Sequence, residues 1–277
     1  MKTGFKELDE IINLEKNKLI LLGGRPAMGK TQFTIDIINN IALKQDIPTL
    51  FFSLESSKEM IINNITDTLY LSFIKKYKYS KEEIEDNLLA LQSNIDISKI
   101  KKTKMRKQNI NILGDILTDD EQELLNKYLE QIQNSKLYID DTPKVTLEYI
   151  EEQCRSLKQT KNIRFVVIDY LQLLNYKDDI KKLGISLKTL AEELGLTILV
   201  LSQLPRNLER RTDKRPVITD LRESKAIAGV SNIILFLYRA SYYDVEATDK
   251  GMEVIVAKND GGKTGIVRID TKENTNG

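Results

Sequence analysis

The chain contains no histidine and one cysteine, Cys154. Without imidazole there is no Ser–His–Asp triad, no Cys–His nucleophile pair and no His-ligated zinc. One thiol excludes an intrachain disulfide framework and any multi-cysteine metal site. Cys154 falls in the helical pattern Val145–Leu157 and is expected to be buried and structural. Long apolar runs are missing too. No segment approaches the ~20 apolar residues of a membrane span, and the N-terminus carries no apolar leader. No membrane contact and a cytoplasmic location are therefore expected. Neither sign of charge dominates: 42 Lys and Arg face 41 Asp and Glu, a net charge of +1. Any nucleic-acid contact must then come from a local arrangement of charge. No Gly/Ser/Pro linker, repeat or low-complexity tract divides the sequence, so residues 1–277 read as a single domain. With 41% hydrophobic and 30% charged residues the composition is that of a globular protein with a sizeable core.

The strongest signal lies near the N-terminus. Lys18–Gly23 is a short apolar run ending in glycine, which suits a buried strand of a parallel sheet. It leads into Gly24-Arg25-Pro26-Ala27-Met28-Gly29-Lys30-Thr31, a full G-x-x-x-x-G-K-[ST] match. A helical pattern follows, with Phe33, Ile37, Ile38, Ile41 and Ala42 on one face. Strand, glycine loop and helix in that order make a phosphate cradle: backbone N–H groups turn inward and the helix N-terminus adds its positive end. Lys30 would reach the β- and γ-phosphates of ATP, and Thr31 would offer its hydroxyl to Mg²⁺.

Further strands end in polar residues, where open α/β sheets place their ligands. Pro48–Leu54 ends at Glu55, a carboxylate able to orient or deprotonate a water attacking the γ-phosphate. Arg164–Tyr170 has four apolar residues before Asp169, the Walker B pattern that holds the Mg²⁺ shell. Leu196–Gln203 ends in an amide suited to sensing the γ-phosphate. Asn232–Tyr238, Met252–Ala257 and Gly265–Ile269 extend the sheet. The class is α/β, a mostly parallel central sheet flanked by helices. Between Ser56 and Thr160 helical patterns occupy Lys58–Lys76, Lys81–Leu91 and Asp119–Gln133, and the basic run Lys101–Lys107 reads as a solvated loop or, alternatively, a nucleic-acid or partner contact.

Thr3–Asp9, Ile20–Thr31, Phe52–Glu55, Ile168–Leu173 and Leu201–Leu204 resemble, in order, the motifs of the RecA-like P-loop NTPase motor domain of DnaB-type replicative DNA helicases. Arg206–Pro216 followed by Asp220–Ser224 is the most specific part of the likeness, which covers residues 3–270 and thins between Ser56 and Asn162. The resemblance implies a hexameric ring that hydrolyses ATP with Mg²⁺ at subunit interfaces and moves along single-stranded DNA. It implies as partners further copies of the chain and a helicase loader, a primase or a host helicase. The family's P-loop lysine and threonine fall on Lys30 and Thr31, its catalytic glutamate on Glu55, its Walker B aspartate on Asp169 and its glutamine sensor on Gln203. Its DNA-gripping loop falls on Arg222, Glu223 and Lys225, and the lysine that reaches a neighbour's γ-phosphate falls on Lys258.

The departures are specific. Asp260 stands where the family has an arginine finger, a group worth roughly 10³–10⁵ in rate in GTPase systems. Lys263 is a candidate substitute, although it lacks the bidentate guanidinium fork. Lys225 replaces a glycine of the DNA loop, and Ala228–Asn232 replaces an acidic run. The family's N-terminal helical collar is absent from this sequence. Besides a DNA-unwinding motor, these features leave open a relative with weak or no ATPase that co-assembles with, loads or inhibits a replicative helicase, and a RecA-fold ATPase without translocation.

Overall fold

The computed structural model describes residues 1–15, 17–76, 130–173, 180–221, 224–244 and 251–269. The chain forms two compact units, Met1–Ile65 with Ser135–Gly277, and Thr66–Asn134. In the first unit, and in chain order, lie α1 (Lys6–Ile11), β1 (Lys18–Gly24), α2 (Lys30–Ile38), β2 (Thr49–Ser53) and the start of α3 (Lys58–Lys76). There follow β3 (Leu137–Asp140), α4 (Leu147–Lys161), β4 (Phe165–Asp169), α5 (Ile180–Leu194) and β5 (Thr197–Gln203). The last elements are α6 (Lys225–Val230), β6 (Ile233–Tyr238), α7 (Ala240–Tyr243), β7 (Met252–Asn259) and β8 (Gly265–Ile269). The described part of the second unit is the remainder of α3 and a helical turn closed by Asn134 N–H donating to the Glu130 carbonyl.

The strands form one sheet in the order β3-β2-β4-β5-β1-β6-β7-β8. β1 to β6 pair in parallel, and β7 and β8 close the sheet antiparallel. This is the expected mixed, mostly parallel α/β sheet. β2, β4 and β6 are buried along their whole length, as helices on both faces require of parallel strands. On β7, Met252, Val254 and Val256 are buried and the residues between them are not, the alternation of a strand covered on one face. β3 carries no such signature: its four residues are all half-buried at the sheet edge, too short a run to stand out. The predicted helix Lys81–Leu91, the basic run Lys101–Lys107 and most of Asp119–Gln133 lie outside the described residues. Among the described residues no helix is long and apolar enough to cross a membrane.

Local chemistry sets the helix ends. Thr146 caps α4 by accepting from Tyr149 N–H, and Asn162, at φ 52°, ends it in the left-handed conformation. Ile150 and Cys154, one turn apart, fix its buried face. Burial pushes the Cys154 thiol up to about 12, so it is a packing residue rather than a nucleophile.

α5 and α6 meet at a glycine. A Cβ on Gly184 would stand 3.1 Å from the Ile227 Cα and 3.3 Å from Val230 Cγ2. The first is a backbone atom and cannot swing aside. Gly184→Ala would gain about 1 kcal/mol in helix propensity and lose more by overpacking this contact, at 1–3 kcal/mol. We expect a net loss of about 1 kcal/mol, read as a lower urea midpoint; a higher midpoint would mean the two helices separate freely.

Candidate nucleotide-binding site

The glycine loop grows directly out of β1. Its turn is made by Ala27 at φ 61° and Gly29 at φ 86°, with Met28 N–H donating to the Arg25 carbonyl at 3.3 Å. Met28 is 1% exposed and pins the loop to the core. α2 then starts at Lys30, with Phe33 N–H donating to the Gly29 carbonyl. The Lys30 ammonium folds back over the loop and donates to the carbonyls of Gly24 at 3.0 Å and Arg25 at 3.1 Å. Burial lowers its pKa, against the opposing pull of Asp169 and Glu55.

Three neighbouring strand ends supply the rest. Thr31 Oγ1 donates to Asp169 Oδ2 at 3.0 Å. Leu54 N–H donates to the Asp169 carbonyl, which ties the end of β2, and Glu55 after it, to the end of β4. Lys30, Thr31, Glu55, Asp169 and Gln203 line one cavity of about 240 Å³ together with Pro26, Ala27 and Gly29. Asp169 is 4% exposed. Burial pushes its carboxyl up to about 6; the Thr31 hydrogen bond opposes this and the charge of Glu55 adds to it. The donors are hard oxygens, and among the described residues no three His, Cys, Asp or Glu cluster. That set fits Mg²⁺, which takes one or two protein oxygens and completes its shell with phosphate and water.

Other predicted residues lie elsewhere. The Arg25 side chain points away from the cavity: Nη1 donates to the Leu204 carbonyl at 2.8 Å, and Nε and Nη2 meet Glu209 Oε1 at 2.8 Å. Lys258 is at the opposite edge of the sheet. β7 runs antiparallel, so Lys258 pairs with Ile234 rather than with Leu237, the neighbour of Gly24. There its ammonium donates to the Ser231 carbonyl at 2.5 Å and lies 3.7 Å from Asp260. Lys225 is exposed at the start of α6, and Arg222 and Glu223 lie outside the described residues.

The basic stretch Arg206–Pro216 is bound to the protein itself. Arg211 donates to both Asp220 oxygens and to the Arg215 carbonyl. Arg215 makes a two-point pair with Glu253 on β7, with both bonds at 2.7 Å, and lies over the Tyr238 ring. Lys214 sits over Tyr243. Two residues that line the cavity, Gln32 and Tyr170, escape the sequence reading. So does Arg239 beside it, whose guanidinium lies 3.2 Å from where a Gly29 Cβ would stand. The buried Nε of Arg239 has no hydrogen-bond partner among the described residues. Arg239 follows β6, the neighbour of β1, so the strand-end rule that picked out Glu55, Asp169 and Gln203 would have found it. A larger hollow of about 310 Å³ near Lys2, Lys6 and Asp9 has no such convergence. The Asp9 carboxylate there already accepts from the backbone amides of Thr3 and Gly4.

The sequence matches the DnaB-like helicase C terminal domain family over residues 1–76 and 64–276. It is 32% identical over 277 residues to the replicative DNA helicase DnaC of Bacillus subtilis, covering 96% of this chain and 53% of that protein. The same figures hold for the replicative DNA helicase DnaB of Geobacillus stearothermophilus. The chain thus spans about half the length of the curated relatives it matches. A solved ATPase domain superposes with a TM-score of 0.75 at 30% identity, covering 99% of this chain and 89% of that one. A DnaB-like replicative helicase, solved in a study of its interactions with primase, gives 0.74 at 30% identity over 99% and 60%.

The buried carboxylate makes a pH-dependent prediction. The Asp169 pKa is about 6 in the folded chain against 3.8 ordinarily, so the native state holds this proton more tightly than the unfolded one. That contribution is complete below the unfolded pKa and is lost as pH rises through about 6, a cost reaching about 3 kcal/mol at neutral pH. Asp169→Asn cannot titrate. Without nucleotide or metal, its thermal midpoint should decline less than the wild type's between about pH 4 and about pH 7; parallel curves would assign the titration to another group.

Proposed function

The chain belongs to the DnaB-like helicase C terminal domain family, and on that premise we propose that it is an ATP-hydrolysing motor domain that works on single-stranded DNA as part of a ring. The observation that carries this reading is the convergence of Lys30, Thr31, Glu55, Asp169 and Gln203 on one cavity at the ends of four adjacent parallel strands. In this reading Lys30 leaves the Gly24 and Arg25 carbonyls for the β- and γ-phosphates of ATP. Thr31 and Asp169 hold Mg²⁺, which when bound offsets charge on the phosphate oxygens. Glu55, exposed on the cavity wall, orients the attacking water and takes its proton. Gln203 reports the γ-phosphate to β5.

Lys258 lies near the other end of β6 from its own cavity, which supports a role at the cavity of a second copy. Head-to-tail association brings opposite edges of identical subunits together, and such contacts close into rings. Single-stranded DNA would be held by Arg222, Glu223 and Lys225 as a backbone contact without sequence readout. Loaders and primase, as partners of the assembled ring, belong to this reading as well.

One observation favours a second reading. The Lys258 ammonium faces Asp260, which stands where the family has a cation. A chain whose trans-acting lysine is partly neutralised would turn over slowly and act mainly by joining a replicative helicase ring.

ATP turnover with and without single-stranded DNA separates the two. On the first reading DNA stimulates turnover and Lys30→Ala abolishes it. Asp260→Arg, which supplies a guanidinium and frees Lys258, is expected to raise the rate by about tenfold or more, given what arginine fingers contribute elsewhere. Nucleotide binding with no turnover in either the wild type or Asp260→Arg would sink the motor and favour the ring partner.

A further inference from the structure

Beside the cavity runs a partly buried chain of hydrogen bonds that the proposed chemistry does not use. It starts at Gln172, three residues after Asp169. The backbone pairing of β4 with β5 stops at Ile168 and Val200. Beyond that point the Gln172 side chain continues the ladder: its amide NH₂ donates to the Gln203 carbonyl at 3.1 Å, and its oxygen accepts from Gln203 N–H at 3.3 Å. The same NH₂ reaches Ser202 Oγ at 3.2 Å. Ser202 Oγ in turn lies 2.5 Å from Ser224 Oγ, and the two serines are 0% and 1% exposed. With Gln172 donating into Ser202, the cooperative arrangement sends the Ser202 proton on to Ser224.

Ser224 is the residue before α6, and its carbonyl accepts from Ala228 N–H. At the far end of α6 the Ser231 hydroxyl donates to the Ile227 carbonyl, and the Ser231 carbonyl receives the Lys258 ammonium. The helix is six residues long, about 9 Å, and lies against α5 at the close Gly184–Ile227 contact. A displacement at Ser224 therefore moves α6 as a body. One short helix joins the strand end that carries Gln203 to the carbonyl that holds Lys258.

We propose that Gln172, Ser202, Ser224 and α6 form a relay that sets the position of Lys258 according to the occupancy of the chain's own cavity. The relay rests on the nucleotide-binding reading above. Its serines are positioning residues that touch no reacting atom. In an assembly where Lys258 serves a neighbouring copy, the relay lets each site bias the next.

Hydrogen–deuterium exchange tests it without DNA and without turnover. The probe is Mg²⁺ with a non-hydrolysable ATP analogue, added to the wild type, Ser202→Ala, Ser224→Ala and the double variant. The double variant leaves no unpaired buried hydroxyl, which makes it the least prone to misfold. In the wild type, both the loop at residues 24–31 and the helix at residues 225–231 should exchange about three- to tenfold more slowly with nucleotide. In each variant the loop should keep its protection while the response of α6 falls below about twofold, and the double variant should lose no more than either single one. An α6 response equal in wild type and variants overturns the relay. So does a wild type in which the loop responds and α6 does not. If the loop itself fails to respond, the nucleotide-binding reading falls and takes the relay with it.

Discussion

Register in the parallel sheet is the constraint on which the site depends. β1 pairs with β5 from Lys18–Thr197 through Gly24–Gln203, and β5 pairs with β4 from Thr197–Phe165 to Val200–Ile168. These pairings set the start of the glycine loop, the Gln203 amide and the Asp169 carboxylate at one edge. A slip of one residue in any of these strands would turn Asp169 or Gln203 to the other face of the sheet. The same slip would send the buried side chains of Phe165–Ile168 or Ile198–Leu201 to the opposite helix-covered face, where they would have to repack. Core packing and site geometry are thus enforced by the same contacts.

That edge holds more charge than a core tolerates without compensation. Lys30, Asp169 and Arg25 are half-buried or buried within one loop and its neighbours. Arg25 is satisfied by the Leu204 carbonyl and Glu209; truncating Glu209 would leave a buried guanidinium short of an acceptor, the costly way to break such a pair. Lys30 and Asp169 are different. Each is displaced towards its neutral form by burial. In the proposed reading a phosphate chain with Mg²⁺ would supply opposite charge to both groups, so that binding energy is released where stability was given up.

The glycine loop was legible because its eight positions stand between a buried strand and an amphipathic helix. Glu55, Asp169 and Gln203 were legible because each ends an apolar run. Arg239 obeys the same rule at the end of β6, but a single arginine after a tyrosine-ended strand looks like ordinary surface. β3 could not be read, since a four-residue edge strand has neither length nor burial contrast. The Arg206–Pro216 stretch shows a deeper limit. Its cations read as free charge in one dimension, yet Arg211 and Arg215 are spent on Asp220 and Glu253, partners that only folding identifies. Charge content was visible in the sequence; charge availability was not.

The polarity of the sheet links these points to assembly. Parallel strands gather the cavity at one edge, and the β7–β8 hairpin, by reversing direction, carries Lys258 and Asp260 to the other. As proposed, these are the two halves of a trans-acting site, and within one chain they face away from each other. On the proposed reading, only a head-to-tail neighbour can complete the site. The Asp260 carboxylate then weighs on that contact twice, as the missing guanidinium and as a counter-ion beside Lys258. α6 spans the two edges, anchored at Ser224 on the cavity side and at Ser231 on the Lys258 side. In the proposed reading a change in one cavity has a packed, hydrogen-bonded path towards Lys258, and its length is set by six helical residues rather than by a flexible loop.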